Sequence, residues 1–241
     1  MEMRPNPRSP QTTVHILHSP RDVAVAAADH IARALAAIEG PATLGLAGGG
    51  TPRATYAELK TRPITWGDVT MWLGDERWVA HHHPESNVGM VRGELVDAVN
   101  GRMLAPNHGI GDPAAAAAAY EALLRSAFID RGFGPAPDVV LLGLGDDGHT
   151  ASLFPGTAAL DDFTNRYVAN WIEAGDAWRL TATLPLLWSA SELVFIVTGE
   201  AKADVAREVI VDGVQHPARQ VVASARKVTW FLDAGAGAHL D

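Results

Sequence analysis

The stretch that decides the fold reads Pro137-Asp-Val-Val-Leu-Leu-Gly-Leu-Gly-Asp-Asp-Gly-His-Thr-Ala-Ser-Leu-Phe-Pro-Gly156. It begins with a short, uninterrupted apolar run at residues 139–142, which glycines close. Such a run between turn-forming residues is typical of a strand buried on both faces of a parallel sheet. Further along, Thr150 or Ser152 is placed to cap a short helical turn that Pro155 and Gly156 end.

A polar cluster follows this strand directly and consists of Asp146, Asp147, Gly148 and His149. In open α/β sheets, ligands bind at the carboxyl ends of the strands, which is where this cluster falls. A histidine two residues from a carboxylate suits a general base with an orienting partner. The alternative is a polar turn in which the aspartates bind only backbone amides.

Composition narrows the class of protein. The 241 residues fit one large domain or two small ones. The formal net charge is −9, and no Lys/Arg block exceeds two neighbours, which argues against a nucleic-acid or membrane surface. The chain has no cysteine, so disulfides and thiolate chemistry are excluded. No apolar segment is long enough to span a membrane or to form a signal peptide, and we therefore expect a cytoplasmic protein.

Predicted strands and helices alternate along most of the chain. The strands lie at residues 14–17, 43–47, 68–73, 139–142, 166–171, 178–184, 192–197 and 228–232, and the main helices at residues 21–39, 53–60, 88–99, 114–129 and 202–211. This alternation predicts an α/β fold with a doubly wound, mostly parallel sheet and helices on both faces. Residues 1–13 are predicted to form a flexible N-terminal arm, and residues 14–241 a single α/β catalytic domain.

Four polar clusters come directly after predicted strands, at residues 48–51, 74–77, 145–149 and 198–202. The first, with Gly49, Gly50 and Thr51, joins a strand to a helix and predicts an anion site at the helix N-terminus, where Thr51 suits the N-cap. A plain tight turn explains the three glycines nearly as well. One fold brings all four loops to one edge of the sheet.

Charged residues in these loops are candidates for binding. Arg77 can hold a phosphate and Asp75 a sugar hydroxyl, although a surface salt bridge explains both equally well. Lys202 opposes the helix dipole in a first helical turn, which indicates an anion. Arg179 becomes a candidate only if the chain folds back at that point. The adjacent histidines at 81–83 lack the spacing of metal ligands, so no metal site is predicted.

Taken together, the four loops resemble the 6-phosphogluconolactonases of the oxidative pentose phosphate pathway. The segments that carry the resemblance are Gly48-Gly-Gly-Thr-Pro52, Gly74-Asp-Glu-Arg77 with Pro84-Glu-Ser-Asn87, Asp147-Gly-His-Thr-Ala-Ser-Leu-Phe-Pro-Gly156 and Thr198-Gly-Glu-Ala-Lys202. The resemblance implies a glucosamine-6-phosphate isomerase/ribose-5-phosphate isomerase-like fold, a monomer or small homo-oligomer, and no required cofactor. It also implies hydrolysis of a sugar-phosphate lactone, 6-phospho-D-glucono-1,5-lactone, by a carboxylic ester hydrolase.

The resemblance assigns roles to residues of this sequence. His149 would be the general base and Asp147 its orienting partner. Gly49, Gly50 and Thr51 would cradle the phosphate, and Arg77 and Lys202 would neutralise it. Arg179 would line the pocket, and Asp75 and Asn87 would help to hold the sugar ring or the catalytic loop. Asp146 departs from the family pattern, where a neutral residue or proline is expected. A second carboxylate beside the base leaves the pH optimum open.

Two other functions compete with lactone hydrolysis. The related glucosamine-6-phosphate isomerases/deaminases share the glycine loop and the Asp-Gly-His turn, but their turn continues toward a glutamate that helps to open the sugar ring. Phe154 occupies that place here, and a phenyl group cannot transfer a proton. A sugar-phosphate sensor without turnover is a third reading, against which the His149–Asp147 pair counts.

Overall fold

The computed structural model describes residues 11–130, 132 and 134–240. The arm predicted at residues 1–13 lies outside these residues for positions 1–10, whereas positions 11–13 form the start of the first strand. No helix in the described part of the chain combines the length and hydrophobicity that a bilayer span requires.

The described residues form twelve strands and seven α-helices. The strands are β1 (Gln11–Leu17), β2 (Ala42–Leu46), β3 (Val69–Leu73), β4 (Asp75–Arg77), β5 (Arg102–Met103), β6 (Ile129–Asp130), β7 (Pro135–Ala136), β8 (Val139–Leu142), β9 (Tyr167–Ile172), β10 (Ala177–Ala182), β11 (Glu192–Val197) and β12 (Lys227–Asp233). The helices are α1 (Pro20–Ala36), α2 (Gly50–Leu59), α3 (Asn87–Val91), α4 (Pro113–Ala127), α5 (Leu184–Ser189), α6 (Ala203–Arg207) and α7 (Pro217–Ala223). Two predicted helices are irregular: α3 and α6 each run into a π-helical turn, at Arg92–Val96 and Glu208–Asp212.

Seven strands form the main sheet in the order β1-β12-β11-β8-β2-β3-β5, and every pairing in it is parallel. The chain runs outward from β2 to β3 and β5, and then returns to β8 on the other side of β2. The direction of winding therefore reverses between β2 and β8. Such a reversal opens a crevice at the carboxyl ends of the two strands, where ligands of α/β proteins bind.

Both faces of this sheet are buried, as the apolar run of β8 predicts. Val140 and Leu142 pack into a core with helices α4 to α7, whereas Val139 and Leu141 pack into a second core with α1 to α3. Successive side chains of a strand point to opposite faces, so a strand between two helical layers must be apolar throughout. Each fully buried leucine or valine contributes about 1.5–3 kcal/mol relative to exposure. The predicted fold class is confirmed.

A second, antiparallel sheet of β4, β10 and β9 stands beside the carboxyl edge of the main sheet. The sequence predicted a loop at residues 74–77, but Asp75–Arg77 pairs as a strand with β10. Its register places Arg77 opposite Arg179. The chain thus folds back at Arg179, which was the condition for that residue to be a site candidate.

An ion cluster around the buried Glu192 lies at the start of β11, at the opposite end of the sheet from the crevice. Glu192 contacts His30 at 2.7 Å and Lys227 at 3.0 Å, and it accepts a 2.6 Å hydrogen bond from Thr229. Burial raises the pKa of Glu192, but these hydrogen bonds outweigh that effect and lower the pKa to about 2. The cluster therefore stabilises the ionised form of Glu192.

Candidate active site

Loops after β2, β8 and β11, together with β4 and β10, enclose a cleft of about 350 Å³. It is lined by the predicted site residues Gly49, Gly50, Thr51, Asp75, Arg77, Asn87, His149, Arg179 and Lys202. Asp147 does not line the cleft itself, but it is hydrogen-bonded to His149, which does. The crevice at the winding reversal therefore gathers side chains that lie far apart in the sequence.

His149 and Asp147 form a directly bonded pair. Nδ1 of His149 lies 2.5 Å from Oδ1 of Asp147, and the same oxygen accepts a 3.0 Å hydrogen bond from the backbone N–H of His149. Burial raises the pKa of Asp147, but the hydrogen bonds from His149 outweigh it, so the pKa lies below its usual value. Because the ionised carboxylate accepts a hydrogen bond from Nδ1–H, the proton of the neutral ring is on Nδ1 and the lone pair is on Nε2. Nε2 has no hydrogen-bond partner among the residues that the structure describes.

The imidazole ring of His149 is also held by its packing. Phe154 stacks on it with ring centroids 4.1 Å apart and an interplanar angle of 26°. A Cβ atom on Gly145 would collide with the ring, so only glycine leaves room for it there. The turn between them closes through a 2.8 Å hydrogen bond from the Gly145 N–H to the His149 carbonyl. The ring orientation is therefore fixed by three neighbours within one short segment.

The helical turn predicted after His149 does not form. Thr150 donates a 2.8 Å hydrogen bond to the Gly143 carbonyl, and Ser152 donates one of 2.7 Å to Asp75. Neither hydroxyl is therefore free to cap a helix, and residues 150–153 close as a turn. This role of Ser152 was not predictable from the sequence, since its partner Asp75 lies in a distant segment.

Two arginines lie opposite each other on the antiparallel strands β4 and β10. Arg77 and Arg179 are paired in register, and Arg77 Nη1 donates a 2.6 Å hydrogen bond to the Glu85 carbonyl. Nε of Arg179 is buried without a partner. Burial, and next the charge of Arg77, lower the pKa of Arg179. Like charges directly opposite each other on a sheet destabilise it, so an anion between them would be stabilised on both sides.

Asp75 joins three segments of the site. Its carboxylate accepts hydrogen bonds from Ser152 Oγ at 2.7 Å and Asn87 Nδ2 at 3.3 Å, and only 8% of the residue is exposed. The Asn87 side chain lies against Gly48, where any Cβ would collide with it. Glu76, the neighbouring acid, is fully buried and accepts a 2.7 Å hydrogen bond from the backbone N–H of Asn87. Glu76 is thus structural, whereas Asp75 borders the cleft.

The glycine loop leads into α2 earlier than predicted, with the N-cap at Gly49 instead of Thr51. Gly49 is the N-cap with φ of 108°, a conformation that favours glycine, and the helix begins at Gly50. The predicted N-cap role of Thr51 is therefore wrong. Its hydroxyl instead pairs with that of Thr198 at 2.8 Å, which ties the loop after β2 to the loop after β11. The N–H groups of Gly50 and Thr51 lie in the first turn and have no acceptor within the helix.

Lys202 lines the cleft with its ammonium group beside Asp146. Their Nζ and Oδ1 atoms are 2.5 Å apart, and the Asp146 side chain is 80% exposed. A pair so open to solvent contributes little to stability. The unexpected second carboxylate thus faces Lys202, while Asp147 alone forms the hydrogen bond to His149.

Comparison with known proteins gives consistent results. A sequence model of the family described as "Glucosamine-6-phosphate isomerases/6-phosphogluconolactonase" matches residues 18–230. The chain is 37% identical over 211 residues to a 6-phosphogluconolactonase of Nostoc sp., covering 84% of this chain and 86% of the relative. It is 38% identical over 212 residues to one of Synechocystis sp., covering 83% and 85%. The solved structure of 6-phosphogluconolactonase from Trypanosoma brucei superposes with a TM-score of 0.87 at 26% identity, over 97% of this chain and all (100%) of the other.

Proposed function

The chain belongs to the family of glucosamine-6-phosphate isomerases and 6-phosphogluconolactonases, and we propose that it hydrolyses 6-phospho-D-glucono-1,5-lactone to 6-phosphogluconate. Its enzyme class is that of the relatives compared above, the hydrolases of a lactone ester. The observation that carries the mechanism is the His149–Asp147 pair, which leaves Nε2 of the ring available beside the cleft.

In the proposed reaction, Nε2 of His149 takes a proton from water as the water oxygen attacks C1 of the lactone. The anionic Asp147 stabilises the imidazolium that forms. The bond between C1 and the ring oxygen then breaks, and the imidazolium returns its proton to that oxygen, which becomes a hydroxyl group. The new C1 carboxyl group ionises. A lactone is an activated ester, so a positioned water and one base supply the chemistry needed.

The phosphate of the substrate is proposed to lie among the backbone N–H groups of Gly50 and Thr51 and the side chains of Arg77, Arg179 and Lys202. The free amides of a helix N-terminus and two facing guanidinium groups favour a dianion. When the substrate binds, Lys202 would release Asp146 and pair with the phosphate instead. Asp75, held by Ser152 and Asn87, is proposed to accept a hydrogen bond from a sugar hydroxyl.

The residue at position 154 argues against the isomerase/deaminase alternative. Ring opening needs an acid at the position where the resemblance expects glutamate, whereas the phenyl ring here stacks on His149. A sensor without turnover would have no need of a base held in one tautomer. We further propose that the protein acts in the cytoplasm, in the oxidative pentose phosphate pathway, without a cofactor and as a monomer or small homo-oligomer.

The proposal is tested with freshly generated 6-phosphogluconolactone in an assay coupled to 6-phosphogluconate dehydrogenase, after subtraction of the spontaneous rate. We expect the wild-type protein to accelerate hydrolysis and His149→Ala to lose that acceleration. His239→Ala is the matched control, because His239 also pairs with an aspartate, Asp204, but lies outside the cleft lining. If the wild-type protein does not accelerate hydrolysis, the proposed lactonase activity is refuted. Turnover of glucosamine 6-phosphate would then favour the isomerase activity.

A further inference from the structure

A second histidine–carboxylate pair lies directly behind the turn that carries Asp147 and His149. His216 precedes the proline that opens α7, and its Nε2 lies 2.7 Å from Oε2 of Glu208. Glu208 belongs to the π-helical turn that follows α6. This pair does not border the cleft.

The ring of His216 lies against Gly148, the residue between Asp147 and His149. Gly148 has φ of 76°, and a Cβ atom there would collide with the His216 ring. The Gly148 carbonyl also accepts a 2.9 Å hydrogen bond from the backbone N–H of Ala218. Glycine is thus required at position 148 for two independent reasons, its backbone conformation and the space that His216 fills.

We propose that His216 is a positioning residue for the reaction, which acts through Gly148 to hold Asp147 and His149 in hydrogen-bonding geometry. The carboxylate of Glu208 fixes the ring, the ring supports the Cα of Gly148, and the Ala218 amide fixes the carbonyl of the same residue. The turn is held from within by the Gly145–His149 hydrogen bond and the Phe154 stack, and His216 adds support from a separate segment at the one residue between Asp147 and His149. The kinetic part of this inference rests on the proposed lactonase function.

The kinetic test compares His216→Ala with His216→Phe. Alanine leaves the space behind Gly148 empty, and we expect kcat to fall about tenfold because small misplacements of a catalytic group are costly. KM should stay within about twofold, since the phosphate contacts are unchanged. Phenylalanine keeps a ring against Gly148 without the bond to Glu208, so it should restore kcat to within about threefold of wild type.

The matched control is His239→Ala, which removes a different histidine–carboxylate pair, His239 with Asp204 of α6. It should leave kcat and KM unchanged. Equal kcat in wild type and His216→Ala would overturn the proposal, as would an equal loss in the Ala and Phe variants. A fall in the melting temperature without a fall in kcat would show a structural role only and would also overturn it.

A measurement without substrate separates this inference from the proposed function. Long-range ¹H–¹⁵N spectra of the histidine side chains report the bonded Nδ1 proton of His149, assigned by its loss in His149→Gln. We expect this signal in wild type and His216→Phe, and its loss or broadening in His216→Ala. If the wild-type protein is inactive on the lactone, the spectrum still tests the positioning role of His216. An unaltered signal in His216→Ala refutes that role.

Discussion

Replacing Asp147 with asparagine tests the proposed base most directly, because it removes one negative charge with little change in shape. In the wild-type protein the carboxylate accepts a hydrogen bond from Nδ1–H and faces the positive charge that develops on the ring. In Asp147→Asn the amide can hold either tautomer of His149, and it offers no charge to the imidazolium. We therefore expect kcat to fall while KM stays nearly constant.

The magnitude follows from the geometry and exposure of the pair. Two unit charges about 4 Å apart attract by roughly 4 kcal/mol at an effective dielectric constant of about 20, and by about 1 kcal/mol in water. The side chains of His149 and Asp147 are 30% and 48% exposed, so solvent screens part of this attraction. A loss of roughly 2 to 3 kcal/mol in the transition state corresponds to a fall in kcat of about 30- to 150-fold.

The measurement is a set of kcat and kcat/KM values between about pH 5 and 9, taken with the coupled lactone assay. Asp146→Asn is the matched control, because that neighbouring carboxylate pairs with Lys202. A kcat within twofold of wild type in Asp147→Asn, or an equal loss in both variants, would refute the proposed role of Asp147.

Three further predictions concern other parts of the molecule. Arg179→Ala should raise KM about tenfold or more with a smaller effect on kcat, because it removes a cation from the proposed anion site. Initial rates measure this, and a loss confined to kcat would contradict it. Phe154→Leu should lower kcat several-fold, because a branched side chain cannot stack on His149; an unchanged kcat would show that the stack is dispensable. Glu192→Gln should lower the free energy of unfolding by about 3 kcal/mol at pH 7. That difference should shrink as the pH falls from 4.5 towards 2, because the folded-state pKa is depressed; a difference independent of pH, in denaturant titrations, would refute it.

The fold was readable from the sequence because its strands are buried on both faces. The apolar run of β8 begins and ends at the predicted residues, and so does that of β11. Helix starts were harder to predict, because the N-cap depends on backbone conformation as well as on side chain. Gly49 is the N-cap of α2, although Thr51 has the side chain that N-caps prefer. The short β4 was missed because its pairing with β10 comes from a segment far along the chain.

The candidate site was predictable where it is local and unpredictable where it is assembled from remote segments. The His149–Asp147 contact spans two residues, so one motif indicates it. Ser152 was visible in the same motif, but its hydrogen bond to Asp75 depends on tertiary structure. His216 gave no signal, since only the packing of α7 against the turn brings its ring to Gly148. The roles of all these residues in catalysis stay predictions.

The pairing of β4 with β10 has a consequence for the stability of the site. The histidine–aspartate turn closes over two residues, whereas Arg77 and Arg179 come from distant segments and lie opposite each other only when a long loop closes. Because the two cations repel each other, an anion bound between them would offset that repulsion. Such an anion binds only the folded chain, so the phosphate of the substrate would raise the free energy of unfolding of the very site that holds it.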